Sequence, residues 1–237
     1  MLIEKLANYE QVSSAAASIV SDAISEHPKG LFGFATGSTP VKLYELLIAS
    51  YQRGEISFEQ LTTVNLDEYI GLPSGHEQSY STFMQQHLFG HVNVRSNSIH
   101  FPKADTNPAI FDQFIQDQGG IEMQILGLGS NGHIGFNEPG SPFDSRTRIV
   151  DLAPSTITDN ARFFDSVEDV PRQAVTMGIQ TIMDAHRIIL LACGPGKAEA
   201  VERCLLGPQT EEVPGSCLQS HSDLIVILDE SASSKLT

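Results

Sequence analysis

The sequence predicts an α/β fold, a three-layer sandwich with helices on both faces of a mostly parallel sheet. Short apolar β-like runs alternate with segments of helical periodicity, which is the pattern of strand–helix–strand units around a parallel sheet. Runs such as IILLA at 188–192 and LIVIL at 224–228 are apolar at successive positions, as strands covered on both faces require. At 237 residues the chain can bury about 70% of its unfolded surface, so it needs no disulfide or metal staple to form a core.

The strands expected in order are 31–35, 62–66, 123–128, 187–192 and 224–228. Helices are expected at 11–26, 40–54, 79–88, 107–118, 181–185 and 197–206, between or beside those strands. Pro40 suits a first helical position, because the N–H it lacks would have no partner there. No repeat, low-complexity tract or Pro/Gly/Ser-rich linker divides the chain, so residues 1–237 are read as a single domain. The segment at about 151–171, with Arg162 between small and aromatic residues, is read as a lid, or as an ordinary amphipathic helix. The final stretch, ESASSKLT, reads as a frayed tail.

Fourteen Lys and Arg against 29 Asp and Glu give a net charge of −15. Such a field repels phosphodiester backbones and anionic lipid surfaces, so no nucleic-acid or membrane partner is expected and any anionic ligand must be captured locally. The three cysteines form no C-x-x-C pair, which suits a reducing compartment. The opening MLIEKLANYE carries acid where a secretion signal needs basic charge, and no run approaches the ~18 apolar residues of a membrane span. A cytoplasmic location is expected.

Ligands of such folds bind where strands end at the carboxyl edge of the sheet, and four loops lie there. In the first, Thr36-Gly37-Ser38-Thr39 precedes Pro40; its amides and hydroxyls at a helix start suit a phosphate, the alternative being that Thr39 merely caps the helix. Gly194-Pro195-Gly196-Lys197 brings a cation to the same edge, unless Lys197 is only a solvated lysine. Asn65-Leu66-Asp67-Glu68-Tyr69 puts two carboxylates at a strand end, as a base or as a turn cap with a solvated neighbour. The fourth loop, GLGSNGHIGFNEPG at 127–140, surrounds His133 and Glu138 with glycine. So little side-chain bulk lets a ligand lie close to the backbone. His133 is then an acid–base candidate oriented by Glu138, or a structural histidine in a tight turn. Arg162 offers a fork for a phosphate. Metal readings fail: His87 and His91 flank Gly90 without a helix-borne glutamate, and His76-Glu77 lacks a second histidine, so no metal is expected.

The motifs ATGSTP, NLDEY, NGHIGFNEPG, ARFF and GPGKAEA, in this order from about 31 to 230, resemble the glucosamine-6-phosphate deaminase (aminosugar-phosphate isomerase) family. The resemblance implies a modified Rossmann-like fold, no cofactor, and conversion of glucosamine 6-phosphate and water to fructose 6-phosphate and ammonia. It implies that Asp67 moves the proton between C2 and C1, that His133 assists ring opening with Glu138 behind it, and that Thr36, Gly37, Ser38, Thr39, Arg162 and Lys197 hold the phosphate. Asn131 belongs to the catalytic set by position, but some members carry aspartate there. An amide accepts a hydrogen bond without neutralising an imidazolium, which leaves Glu138 as the main carboxylate partner of His133. The short C-terminus implies a weakly regulated form, monomer or homo-oligomer. Competing readings are a 6-phosphogluconolactonase-type hydrolase, which needs activated water and no carbon base, and a non-catalytic sugar-phosphate-binding regulator.

Overall fold

A computed structural model describes residues 1–73, 75–161, 164 and 166–236. In chain order the main elements are β1 (Leu2–Leu6), α1 (Tyr9–Glu26), β2 (Leu31–Phe34), α2 (Val41–Gln52), β3 (Thr62–Asn65), β4 (Asp67–Tyr69) and α3 (Tyr80–His87). There follow β5 (Ile99–His100), α4 (Ala109–Asp117), β6 (Met123–Gly127), β7 (Arg148–Asp151), α5 (Pro154–Asn160), β8 (Gln173–Thr176), α6 (Ile179–Met183), β9 (Arg187–Ala192), α7 (Ala198–Leu205) and β10 (Leu224–Asp229).

Seven strands form one sheet in the order β1-β10-β9-β6-β2-β3-β5, with every neighbouring pair parallel. Helices flank it, giving the expected three-layer sandwich. The central strands are apolar along their length because both faces are covered: Ile188, Ile189, Leu190, Leu191 and Ala192 of β9 are all buried. Helix α1 buries Val12, Ala16, Val20 and Ala23 at helical spacing, and Asn8 caps it by accepting from the Gln11 amide at 3.0 Å.

Strand order explains where the chemistry collects. From β2 the chain proceeds outward to β3 and β5, whereas from β6 it proceeds in the other direction to β9 and β10. The sheet therefore reverses between β2 and β6, and a crevice opens at the carboxyl ends of these two strands. A second, antiparallel sheet of order β4-β8-β7 stands beside that edge, with its own apolar cluster of Tyr69, Phe136, Leu152, Ile157, Val170 and Ala174.

The structure corrects some of the sequence-based elements. Strand β1, absent from the expected set, pairs with β10, Leu2 opposite Ile225. The C-terminal stretch is not frayed: Ala232 is fully buried, its amide donates to Asp229 Oδ1 at 2.7 Å, and Lys5 Nζ donates to the Leu236 carbonyl at 2.7 Å. Its polar composition concealed an anchor contributed by the opposite end of the chain. Helix α6 begins earlier than expected because Ser145 accepts the first amides, Ile179 through Oγ and Gln180 through its carbonyl. No helix among the described residues is long and apolar enough to cross a membrane.

Candidate active site

The first loop, 36–40, is held from beneath by two tyrosines. Tyr44, fully buried on α2, bonds both the amide and the carbonyl of Ala35. Tyr9 donates to the Ser38 carbonyl and accepts from the Lys42 amide, each at 3.1 Å. Gly37 turns the chain at φ 101°, a conformation that side-chain-bearing residues avoid. Helix α2 starts from Pro40 with no side-chain cap, so Thr39 does not serve as the helix cap. The hydroxyls of this loop remain at the cavity wall.

Asp67 opens β4 and is 6% exposed. Burial pushes its carboxyl up to about 8; the adjacent Glu68 charge adds to this and the Phe136 amide partly offsets it. Glu68 is no solvated bystander. Its carboxylate accepts the amides of Tyr69, Tyr80 and Ser81 at 2.8–2.9 Å and so pins the start of α3 onto β4. That anchorage brings Tyr80 over the site, where its ring stacks on Phe136 at 5.8 Å and meets Tyr69 at 4.8 Å.

The glycine-rich loop after β6 makes a tight turn: the Gly132 amide donates to the Gly129 carbonyl at 3.0 Å, and Asn131 Oδ1 accepts the His133 amide at 3.1 Å. Asn131 Nδ2 also donates to Glu138 Oε2 at 2.8 Å, and the same oxygen faces His133 Nδ1 at 3.4 Å. That imidazole–carboxylate contact is within ion-pair range but is not aligned as a hydrogen bond, and Nδ1 is buried with no hydrogen-bond partner among the described residues. Burial pushes the Glu138 carboxyl up, but His133, Thr156 and Asn131 together outweigh it and hold the group down at about 2. Asn137 is structural: its amide donates to the carbonyls of Ile134 and Met177, and its Oδ1 accepts from Arg148.

The last loop is fixed from β10. Asp229 accepts the Gly194 amide at 2.9 and 3.1 Å while Gly194 sits at φ 89°, and a short 3-10 turn then delivers Lys197 to the start of α7.

These loops close around one cavity of about 510 Å³. Thr36, Gly37, Ser38 and Thr39 line one side, with Asp67, His133 and Lys197 also in its wall. Glu138 and Asn131 do not line it; they lie behind the imidazole. Arg162 lies outside the described residues. A cleft of about 620 Å³ at the amino edge, between Phe143, Met183 and His221, is lined by no carboxylate, lysine or arginine. It is the smaller cavity that carries convergent chemistry. Sequence reasoning assigned no role to Tyr80, to Asn160, whose Nδ2 donates to Tyr69 Oη at 2.8 Å, or to Thr156, which donates to Glu138 Oε1. Thr156 and Asn160 fall within the segment 151–171 read as a lid and Tyr80 within the helix expected at 79–88, but none of the three lies in a glycine loop or at the end of an expected strand. Among the described residues no cluster of His, Cys, Asp and Glu could hold a metal ion.

A family model for glucosamine-6-phosphate isomerases and 6-phosphogluconolactonase matches residues 4–226. The chain belongs to this family. Within it, the chain is 50% identical over 238 residues to glucosamine-6-phosphate deaminase 2 of Bacillus subtilis, covering 97% of this chain and 95% of that one. It is 47% identical over 234 residues to the glucosamine-6-phosphate deaminase of Clostridium perfringens, covering 97% of both. Among solved structures, a monomeric glucosamine-6-phosphate deaminase superposes with a TM-score of 0.95 at 42% identity, over 99% of this chain and 100% of that one. The 6-phosphogluconolactonase of Trypanosoma brucei superposes with a TM-score of 0.78 at 18% identity, over 100% of this chain and 98% of that one, a likeness of fold alone.

Proposed function

We propose that this chain is a glucosamine-6-phosphate deaminase, converting glucosamine 6-phosphate and water to fructose 6-phosphate and ammonia. The observation that carries the reading is that Asp67, at the start of β4, and His133, in the glycine-rich loop after β6, line one cavity with the Thr36–Thr39 turn and Lys197. The family and the deaminase relatives support it.

The phosphate of the sugar seats on the amides and hydroxyls of residues 36–39, with Lys197 and Arg162 supplying positive charge. His133, charge-balanced by Glu138 and held by the Asn131 turn, carries the proton exchanged when the pyranose opens. Asp67 then takes the proton from C2 of the open-chain sugar, which leaves an enolamine, and returns it to C1. The product of that return is an imine at C2, which water hydrolyses with loss of ammonia. A buried carboxyl whose affinity for protons is raised towards neutrality suits both halves of this transfer. The segment 151–171 acts as a lid, as supported by Thr156, Asn160 and Phe164 in the cavity wall. The enzyme works in the cytoplasm as a monomer, in keeping with its likeness to the monomeric deaminase.

A coupled ammonia assay with glucosamine 6-phosphate, run with and without N-acetylglucosamine 6-phosphate, tests the reading. Ammonia release in stoichiometry with fructose 6-phosphate is expected. Lactone hydrolysis without ammonia would replace it with the lactonase reading, and tight binding of the hexosamine phosphate without turnover would replace it with the regulator.

A further inference from the structure

We infer that Thr156 is a positioning residue for ring opening: its hydroxyl fixes the Glu138 carboxylate so that the other oxygen faces His133. This rests on the deaminase reading and adds to it a group supplied by α5, outside all four loops.

The two oxygens of Glu138 have separate duties. Oε1 accepts the Thr156 hydroxyl, whereas Oε2 accepts Asn131 Nδ2 at 2.8 Å and faces His133 Nδ1 at 3.4 Å. Two donors from two different elements thus set both the position and the rotation of one carboxylate. The Glu138 side chain is 14% exposed, so water offers little replacement for a lost donor. Asn131 cannot share the charge of an imidazolium, which makes the orientation of Glu138, the carboxylate that faces His133 among the described residues, decisive. Thr156 also lines the cavity. The same side chain therefore faces the sugar on one side and the ring-opening pair on the other. Without the hydroxyl, Oε1 loses its donor among the described residues, and the carboxylate turns from the imidazole to find another.

The test compares Thr156→Val, which keeps the shape and removes the hydroxyl, with Thr156→Ser, which keeps the hydroxyl, each alone and combined with His133→Gln. Ammonia release is measured over a range of glucosamine 6-phosphate concentrations. Loss of a hydrogen bond to a buried charge predicts that Thr156→Val lowers kcat roughly 10- to 100-fold with KM within about twofold, and that Thr156→Ser stays within about threefold of the parent. In the His133→Gln background the valine change is expected to cost less than about threefold, because the pair it serves is already gone. A valine variant with normal kcat, a serine variant as poor as valine, or full additivity with His133→Gln overturns the assignment. If Thr156→Val does not fold, Thr156→Ala against Thr156→Ser gives the same comparison. Absence of ammonia release from the unmodified chain overturns the deaminase reading itself, whereas normal release with an indifferent Thr156 overturns this inference alone.

Discussion

The imidazole of His133 lies directly over Gly129: a Cβ built on Gly129 falls 2.4 Å from Nδ1, Cε1 and Nε2 of the ring. Glycine is thus required at 129 by the side chain packed on it, not by its backbone angle. Gly129→Ala forces the ring off Glu138. We predict a fall in kcat of at least about tenfold and a stability loss of about 1–3 kcal/mol from overpacking. Steady-state kinetics and denaturant melts check both, and near-normal turnover would show that the ring has another productive seat.

With Asp67 as the proposed base, its carboxyl sets the expected pH dependence. The carboxyl must be ionised to act as a base, and its value of about 8 in the free enzyme places the acid limb of kcat/KM far above the ordinary carboxylate range. Asp67→Asn is expected to abolish ammonia release nearly completely while sparing ligand binding. Because the folded-state value is raised, the associated stability is fully present below the unfolded value of 3.8 and is lost as pH rises through about 8. Thermal melts at pH 5 and pH 9 should show that loss in the parent and a smaller one in Asp67→Asn.

Phosphate binding is common to ground state and transition state. Lys197→Ala or Arg162→Ala should therefore chiefly raise KM, by roughly 10- to 100-fold, with kcat little changed. An unchanged KM in either variant removes that residue from the phosphate site.

Asp229 acts at a distance from the reaction. Removing its carboxylate in Asp229→Ala leaves the amides of Gly194 and Ala232 without their acceptor, one in the GPGK loop and one in the buried C-terminal stretch. A stability loss of about 1–3 kcal/mol is expected, accompanied by a higher KM as Lys197 loses its fixed approach. Chemical denaturation and steady-state kinetics measure the two effects separately, and an unchanged KM would show that the loop holds its shape without β10.

The sequence alone determined the features that depend on near neighbours in the chain. Unbroken apolar runs mark strands such as β9 because both of their faces are covered, and glycine-rich turns after such strands mark the binding edge because a ligand must approach the backbone there. Asp67 and the turn at 36–39 were legible beside the ends of β3 and β2, and His133 and Glu138 within the glycine-rich loop that follows β6, each in a distinctive motif. Tertiary structure decided what distant partners decide. Strand β1 is ordered by pairing with β10 from the opposite end of the chain, and the residues after Asp229 are tied to Asp229 and to Lys5, so neither segment carries a local sign of its fate. Glu68 reads as a surface acid until α3 returns to place amides on it, and Thr156 reads as one more helical threonine until the fold sets its hydroxyl against Glu138. Hydrogen-bond partners of buried carboxylates are chosen by three-dimensional proximity, which no spacing along the chain encodes.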